Sequence, residues 1–288
     1  MSFYCPRLCI IGSGLIGGSL ALALKRAGRV GEVVGAGRNA ETLERARELG
    51  IIDRYATDVA EAARGADIVV LSVPLLAMRG VFQQLLPALA PGMILTDVGS
   101  AKMSVIEDAR TVLGQKSRQF VPGHPIAGTE KSGPEAAFAE LFEGRRVILT
   151  PLSDNDAADV QRITEMWRIV GAEVEAMTAL HHDHVLAATS HLPHLLAFAL
   201  VESLARMEER HEVFRYAAGG FRDFTRIAAS DPTMWRDIAL ANAAEIKGML
   251  RRYQKDLEHL YQLLDAGDGE ALHALFSRAK QAREGLKL

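Results

Sequence analysis

Cysteine is scarce in this sequence, and basic residues are not in excess. The two cysteines, Cys5 and Cys9, lie four residues apart, with no second pair to complete a zinc site. We therefore expect two reduced side chains packed in a core. A formal net charge of −3 over 288 residues argues against nucleic-acid binding, which normally uses a strongly basic surface. The expected partner is a small molecule.

Long apolar runs of the kind that cross membranes are also lacking. A bilayer needs roughly 20 apolar residues, but the run at 10–24 contains four glycines, and the run at 185–201 contains two histidines and a proline. We predict a buried core helix at 185–201, no membrane partner and a cytoplasmic location. Hydrophobic and charged fractions of 49% and 24% are typical of a globular protein.

Short apolar runs alternate with helical stretches up to about residue 178, after which only helical stretches follow. The predicted strands are 7–11, 32–38, 67–74, 93–99, 119–125, 145–151 and 172–177. Apolar strands separated by helices predict a parallel sheet covered on both faces. The predicted later helices are 182–207, 219–229, 232–264 and 269–285. The expected fold class is α/β plus all-α, with a doubly wound, Rossmann-type domain at 1–178 and a helical domain at 179–288.

The stretch GSGLIG at 12–17 fits G-x-G-x-x-G and stands between a predicted strand and a predicted helix. In this pattern Gly12 makes a tight turn, Gly14 lets a pyrophosphate approach the backbone, and Gly17 allows close helix packing. Leu15 and Ile16 begin the helix, whose unpaired N–H groups attract the phosphates. The motif predicts a dinucleotide but names no reaction.

The end of the second predicted strand lacks the acidic residue that holds the ribose hydroxyls of NAD. The chain there reads GAGRN, at 35–39. Arg38 is suited to the extra phosphate of NADP, with Asn39 adding a hydrogen bond; a solvated surface arginine is the alternative. NADP is the predicted cofactor, with NAD left open.

Five further segments together resemble the prephenate and arogenate dehydrogenases of tyrosine biosynthesis. They are SVP at 72–74, DVGSAK at 97–102, GHPIAGTEKSG at 123–133, SHLPH at 190–194 and GGFRDFTRIAASDPTMWRDI at 219–238. The resemblance implies hydride transfer from a cyclohexadienol to NAD(P), with loss of the ring carboxylate as carbon dioxide. It also implies that Ser72, Val73 and Pro74 belong to the cofactor site.

Such a reaction needs one base to remove the hydroxyl proton, and an imidazole suits that task at neutral pH. The resemblance assigns this role to His124, with a turn-capping histidine as the alternative. It places Ser100 near both nicotinamide and substrate hydroxyl, although a serine there also suits the N-cap of a helix beginning near Ala101.

The resemblance also selects the substrate anchors. A planar guanidinium grips a carboxylate at two points, which favours Arg226 over the alternative of a helix-surface arginine. His191 and His194 share a helical face, and Pro193 between them predicts a kink. We assign His194 to substrate binding and His191 to shaping the site; two structural histidines are the alternative, and His182 is a weaker candidate. No metal is expected, since hydride transfer needs none.

Arogenate carries an ammonium group where prephenate has a keto oxygen, so a carboxylate near the side chain would favour arogenate. The resemblance selects Glu130, with Thr129 as a further hydrogen-bonding group. The alternative is that Glu130 pairs with Arg226 or Lys131 and gates the cleft. A homodimer through 178–288 is also implied, with Trp235 reaching the partner's cleft.

Two other readings remain open at this point. A related two-domain hydroxyacid dehydrogenase would also join a dinucleotide domain to helices, but it would rely on a catalytic lysine on the helical side. A dinucleotide-sensing protein without catalysis would keep the glycine motif but would have no reason to gather His124, Ser100, His194 and Arg226.

Overall fold

A computed structural model describes residues 3–129 and 131–286. Contacts within the chain group it into two compact units, which divide between Ala243 and Ala244. Residues 179–243 therefore belong, in the single chain, to the same unit as the sheet. The predicted domain division at residue 178 stays a prediction.

A six-stranded parallel sheet forms the centre of the first unit, in the order β3-β2-β1-β4-β5-β6. Its strands are β1 Cys5–Ile11, β2 Val30–Ala36, β3 Arg54–Ala56, β4 Ile68–Leu71, β5 Ile94–Asp97 and β6 Phe120–Val121. This is the doubly wound order of dinucleotide-binding domains, which confirms the predicted fold class. The short strand β3 was not among the predicted strands.

A second sheet of three strands corrects two expectations. Its strands are β7 Gly123–Pro125, β8 Arg146–Leu149 and β9 Glu173–Ala176. The predicted strand 119–125 is in fact two strands in different sheets, separated by Pro122, which has no N–H for a ladder. The predicted strands 145–151 and 172–177 do not extend the main sheet, because β8 pairs with β7 and β9 instead.

Helices cover both faces of the main sheet. They are α1 Leu15–Arg26, α2 Ala40–Glu48, α3 Val59–Ala63, α4 Met78–Leu85, α5 Met103–Leu113 and α6 Ala157–Ile169. Successive residues of β1 alternate between two cores: Cys9 packs in one, and Leu8 and Ile10 pack in the other. Both cysteines are free and buried, as predicted, and burial raises the pKa of each thiol to about 12.

The later helices are α7 Ala179–Leu186, α8 Leu192–Ala205, α9 Arg210–Arg215, α10 Gly219–Thr225, α11 Pro232–Ala241, α12 Ala243–Asp265 and α13 Gly269–Glu284. A π-helical turn, Ala187–His191, joins α7 to α8. It falls just before Pro193, whose ring clashes with the carbonyl four residues earlier, and so the predicted irregularity is present. The predicted helix 232–264 is wrong as one element, because it breaks at Asn242. The structure adds α9, which was not predicted.

The segment Ala179–Ala205 is long and apolar enough to cross a membrane by length and composition, which is weak evidence alone. It carries His182, Asp183 and His191, all buried in the first unit. The prediction of a buried core helix at 185–201 is nevertheless wrong for much of α8, in which only Ala197 is buried in the single chain. The rest of that apolar helix is partly or fully exposed.

Candidate active site

The glycine motif forms a tight loop between β1 and α1. Gly12 has φ +95°, and a Cβ there would lie 2.2 Å from the Ser72 carbonyl oxygen. A Cβ on Gly17 would lie 2.4 Å from the Gly12 carbonyl oxygen. The Gly17 amide donates to the Ser72 Oγ at 3.1 Å. The loop is therefore held closed by glycine at both positions and by Ser72 from the end of β4.

Gly14 differs from these two glycines, because a Cβ there would meet no atom within 4 Å. In the part of the chain that the structure describes, no side chain caps α1, which begins with the half-buried Leu15 and Ile16. The Ser13 Oγ is buried without a hydrogen-bond partner among the described residues. Open space, uncapped amides and a spare hydroxyl at a helix N-terminus suit the phosphates of a dinucleotide.

The end of β2 carries the residues expected to choose the cofactor. Arg38 is exposed there, next to the half-buried Gly37. Asn39 caps α2, since its Oδ1 accepts from the amides of Glu41 at 2.9 Å and Thr42 at 3.2 Å. Beyond β4, Val73 is half-buried and Pro74 is exposed. Arg38 is thus available to a ligand, whereas the Asn39 side-chain oxygen is already used.

The central feature of the site is a chain of three side chains that ends at His124. His124 lies on β7 and is 8% exposed. Its Nδ1 is 2.9 Å from the Nε2 of His182, and the Nδ1 of His182 is 2.8 Å from the Asp183 Oδ1. We call His124, His182 and Asp183 the histidine relay.

Asp183 is held by more than this one contact. Its Oδ1 also accepts from the Lys102 amide at 2.8 Å, and its Oδ2 accepts from the Met103 amide at 2.9 Å. Asp183 therefore caps the N-terminus of α5. The alternative in which Ser100 caps this helix is wrong, because α5 begins at Met103 and Asp183 supplies the cap.

Hydrogen-bond polarity along the relay fixes the tautomer of each ring. An ionised carboxylate can only accept, so the Nδ1 of His182 must donate to Asp183. The Nε2 of a neutral His182 is then an acceptor, and the Nδ1 of His124 must donate to it. The Nε2 of His124 is left with a free lone pair, which is the arrangement of a general base.

Burial keeps His124 neutral. It lowers the pKa of His124 well below the ordinary histidine value, and His182, Lys102 and His191 lower it further. The pKa of His182 is also lowered by burial, against the opposing effect of Asp183. An imidazole in this position is unprotonated at neutral pH and is ready to accept a proton.

His191 and His194 lie on either side of Pro193 and have different surroundings. His191 is fully buried, and its Nδ1 accepts from the Asn242 side-chain amide at 3.1 Å. The same amide donates to the Asp183 carbonyl oxygen at 2.8 Å. Burial lowers the pKa of His191 to about 4, against the effect of Asp183. This histidine supports the relay from inside and has no exposed surface to offer a ligand.

His194 is half-buried and donates from Nδ1 to the Ser190 carbonyl oxygen at 2.8 Å. Its ring stacks on Trp235 of the same chain, with centroids 3.7 Å apart and 19° between planes. Burial lowers the pKa of His194, and the cation of Arg226 contributes to that effect. Arg226 is therefore close enough to this stacked pair to act on it electrostatically.

The other predicted residues are distributed around these groups. Ser100 is half-buried between β5 and α5. Thr129 is exposed, and its Oγ1 accepts from the Lys131 amide at 3.2 Å. Glu130 lies outside the described residues. The reach of Trp235 into a partner's cleft stays a prediction, because within the single chain its ring packs on His194.

Sequence reasoning missed the residues that support His124. Asp183, Asn242, Lys102 and Asp97 were not selected, and His182 was only a weak candidate. The signals were present in the HD pair at 182–183 and in the charged ends of DVGSAK. The contact between His124 and His182, which are 58 positions apart, could not be predicted from the sequence.

Comparison with known proteins points to one family. The family profile described as the prephenate dehydrogenase nucleotide-binding domain matches residues 20–176, and its dimerization-domain counterpart matches residues 178–278. The cyclohexadienyl dehydrogenase of Zymomonas mobilis is 41% identical over 97% of this chain and 96% of its own length. The prephenate dehydrogenase of Bacillus subtilis is 36% identical over 98% of this chain and 76% of its own.

Among solved structures, the prephenate dehydrogenase of Aquifex aeolicus, in complex with hydroxyphenyl propionate and NAD+, superposes with a TM-score of 0.92. It is 39% identical, and the match covers 99% of both chains.

The two loop glycines give a matched pair of variants. Gly12→Ala forces a Cβ against the Ser72 carbonyl at positive φ, so we expect it to cost about 1–3 kcal/mol of stability. Gly14→Ala meets no protein atom, so its melting temperature should equal that of the wild type, while dinucleotide affinity falls because the Cβ occupies the ligand's approach. Thermal denaturation and a fluorescence titration with NADP and NAD separate the two effects. Unchanged dinucleotide affinity in Gly14→Ala would contradict the assignment of the loop.

Proposed function

Because this chain belongs to the prephenate dehydrogenase family, we propose that His124 is the general base of its reaction. The chain is an NAD(P)-dependent oxidoreductase that carries out oxidative decarboxylation of prephenate or arogenate in tyrosine biosynthesis. The bound nicotinamide supplies the hydride acceptor. Aromatisation of the ring drives the step, so the protein's own task is to position the substrate and remove one proton.

The observation that carries this proposal is the histidine relay. Among the described residues, the His124 Nε2 is the one ring nitrogen of the relay left without a proton or a hydrogen-bond donor, so it takes the hydroxyl proton as hydride leaves the carbon that bears the hydroxyl. The proton returns to that oxygen when the ring carboxylate leaves as carbon dioxide and the ring becomes aromatic. The resulting positive charge is shared toward His182 and the Asp183 carboxylate, which stabilises it. Ser100, near the start of α5, orients the substrate hydroxyl toward that nitrogen.

We place the substrate's carboxylates between Arg226 and His194. Arg226 supplies a guanidinium that can grip a carboxylate at two points. The edge of the His194 ring that carries Nε2 faces the substrate, because its Nδ1 already donates to the Ser190 carbonyl. Trp235 holds the His194 ring flat against its own, which fixes the direction of that edge. The selection of arogenate by Glu130 stays a sequence-based prediction.

We infer a homodimer through the helical part of the chain. The C-terminal profile is described as a dimerization domain. The mostly unburied α8 supports this assembly, and so do the exposed apolar side chains of α12, namely Leu250, Tyr253, Leu257, Tyr261 and Leu264.

Two protonated buried thiols and a net charge close to zero fit a cytoplasmic enzyme with a small-molecule substrate.

The direct test of the base is His124→Asn. We expect kcat to fall roughly 10²- to 10⁴-fold, with dinucleotide binding and melting temperature retained, because only the proton acceptor is lost. The assay follows reduced nicotinamide after adding prephenate or arogenate. His181→Asn is the control, since His181 is an exposed neighbour of the relay. In the wild type, kcat/KM should fall at low pH, and the midpoint of this fall, the acid limb, should lie below the ordinary histidine pKa, because burial lowers the pKa of His124.

Near-normal turnover by His124→Asn would remove this residue from the mechanism. No absorbance change with either substrate in the wild type would instead favour a dinucleotide sensor.

For the cofactor, we propose a preference for NADP over NAD, supported by the exposed Arg38 and the missing acid after β2. Arg38→Ala should narrow the NADP:NAD ratio of kcat/KM by roughly 10- to 100-fold, the scale of a hydrogen bond to a charged group. Arg38→Lys, which keeps the cation, should retain most of the preference. Equal use of both cofactors by the wild type would show that Arg38 has no part in selection.

A further inference from the structure

A buried ion pair lies directly behind the proposed base and has no part in the steps described above. Lys102 and Asp97 are both fully buried, with Nζ and Oδ2 2.5 Å apart. Burial lowers the pKa of Lys102, and Asp97 opposes that effect. Because buried charges are costly unless paired and hydrogen-bonded, a pair in this position calls for a specific role.

Both members of the pair bind the residue that precedes His124. The Lys102 Nζ donates to the Gly123 carbonyl oxygen at 2.7 Å. The Asp97 Oδ1 accepts from the Gly123 amide at 3.1 Å, and its Oδ2 accepts from the Gly99 amide at 2.8 Å. Both backbone polar groups of Gly123 are thus satisfied by one ion pair.

The strand pairing explains why side chains are needed here. On the β8 side of β7, the Pro122 carbonyl accepts from Thr150 and the Ile126 amide donates to Arg146. His124 lies opposite Ile148 in the same register. Alternation along an antiparallel ladder turns the Gly123 N–H and C=O to the other edge, away from β8. Buried backbone groups require partners, and Asp97 and Lys102 supply them in place of a strand.

We propose that Lys102, held by Asp97, is a positioning residue for the general base: it fixes the backbone that carries His124 and keeps a positive charge behind the imidazole. Lys102 does not touch the substrate, since it is fully buried and donates to Asp97 and Gly123. The inference rests on the proposed role of His124.

The charged and titratable groups around His124 come from several elements. Asp97 lies at the end of β5, and Lys102 lies just before the start of α5. His182 and Asp183 come from α7, and His191 comes from the π-helical turn. Removing the Lys102 cation also leaves the Asp97 carboxylate uncompensated. The lost cation and the uncompensated carboxylate both favour a protonated His124.

The test is Lys102→Met in the full-length enzyme, assayed for kcat, KM, the pH profile of kcat/KM and NADP affinity. We expect kcat to fall roughly 10- to 100-fold, the scale for a misplaced catalytic group, with NADP affinity unchanged. The acid limb should move to higher pH, a shift that a merely structural role would not produce. Thr96→Val is the matched control, because Thr96 is buried beside Asp97 with a hydroxyl that has no partner among the described residues, and it should behave like the wild type.

A second variant covers the case in which Lys102→Met does not fold. Lys102→Met combined with Asp97→Asn removes both charges. The single side-chain oxygen introduced at position 97 can accept from only one of the two amides that Asp97 binds, those of Gly99 and Gly123. This variant should keep the reduced kcat, because the Gly123 carbonyl has lost its donor, while its acid limb returns toward the wild-type position.

Three outcomes would overturn the proposal. They are a wild-type kcat in either variant, a loss of activity that only follows the loss of folded protein, and a reduced kcat in Lys102→Met with an unmoved acid limb. The kcat of His124→Asn is measured in the same assay. If that kcat is lost while Lys102→Met keeps the wild-type kcat, the role of His124 as the base is supported and only the role of Lys102 is refuted.

Discussion

The carboxylate of Asp183 is the point on which the rest of the site depends. It accepts hydrogen bonds from the amides of Lys102 and Met103 at the start of α5 and from His182. A buried carboxylate is costly unless it is hydrogen-bonded in this way. Since Asp183 comes from the helix that follows the last strand, its contacts join the sheet to the helical segment. The same contacts set the proton positions on His182 and His124.

Burial then divides the histidines of the site into different roles. His191, fully buried and bonded to Asn242, supports the relay. His124 keeps a small exposed fraction and presents a bare nitrogen, whereas the half-buried His194 is stacked on Trp235 near Arg226. In the proposed function, one residue type thus serves as support, base and ligand contact according to how much of each ring faces solvent.

Much of the fold and part of the site could be predicted from local patterns. The glycine loop was readable because its glycines form one short motif between a predicted strand and a predicted helix, although the Cβ at Gly12 is excluded by Ser72 from another strand end. His124, Arg226 and His194 were selected as site residues through a family resemblance, and their roles stay predictions. The division of residues 119–125 into two strands was not, since it depends on β8 pairing with β7 rather than with the main sheet.

The support of the base was hidden for a similar reason. The contacts of Asp183 with Lys102 and of His182 with His124 span 81 and 58 residues, and no local pattern reports such distances. Lys102 itself reads as an ordinary solvated charge in DVGSAK until the fold buries it. Buried charged side chains are therefore the residues that sequence reasoning failed to select.

The protonation of the His124 ring, observed by ¹⁵N NMR on histidine-labelled enzyme at neutral pH, tests the histidine relay most directly. We predict a neutral ring with the proton on Nδ1 and a bare Nε2, assigned by the loss of its signals in His124→Asn. In Asp183→Asn, whose amide can donate to His182, the proton should move to the Nε2 of His124. A His124 ring that is protonated on Nε2 in the wild type, or on both nitrogens at neutral pH, would contradict the relay.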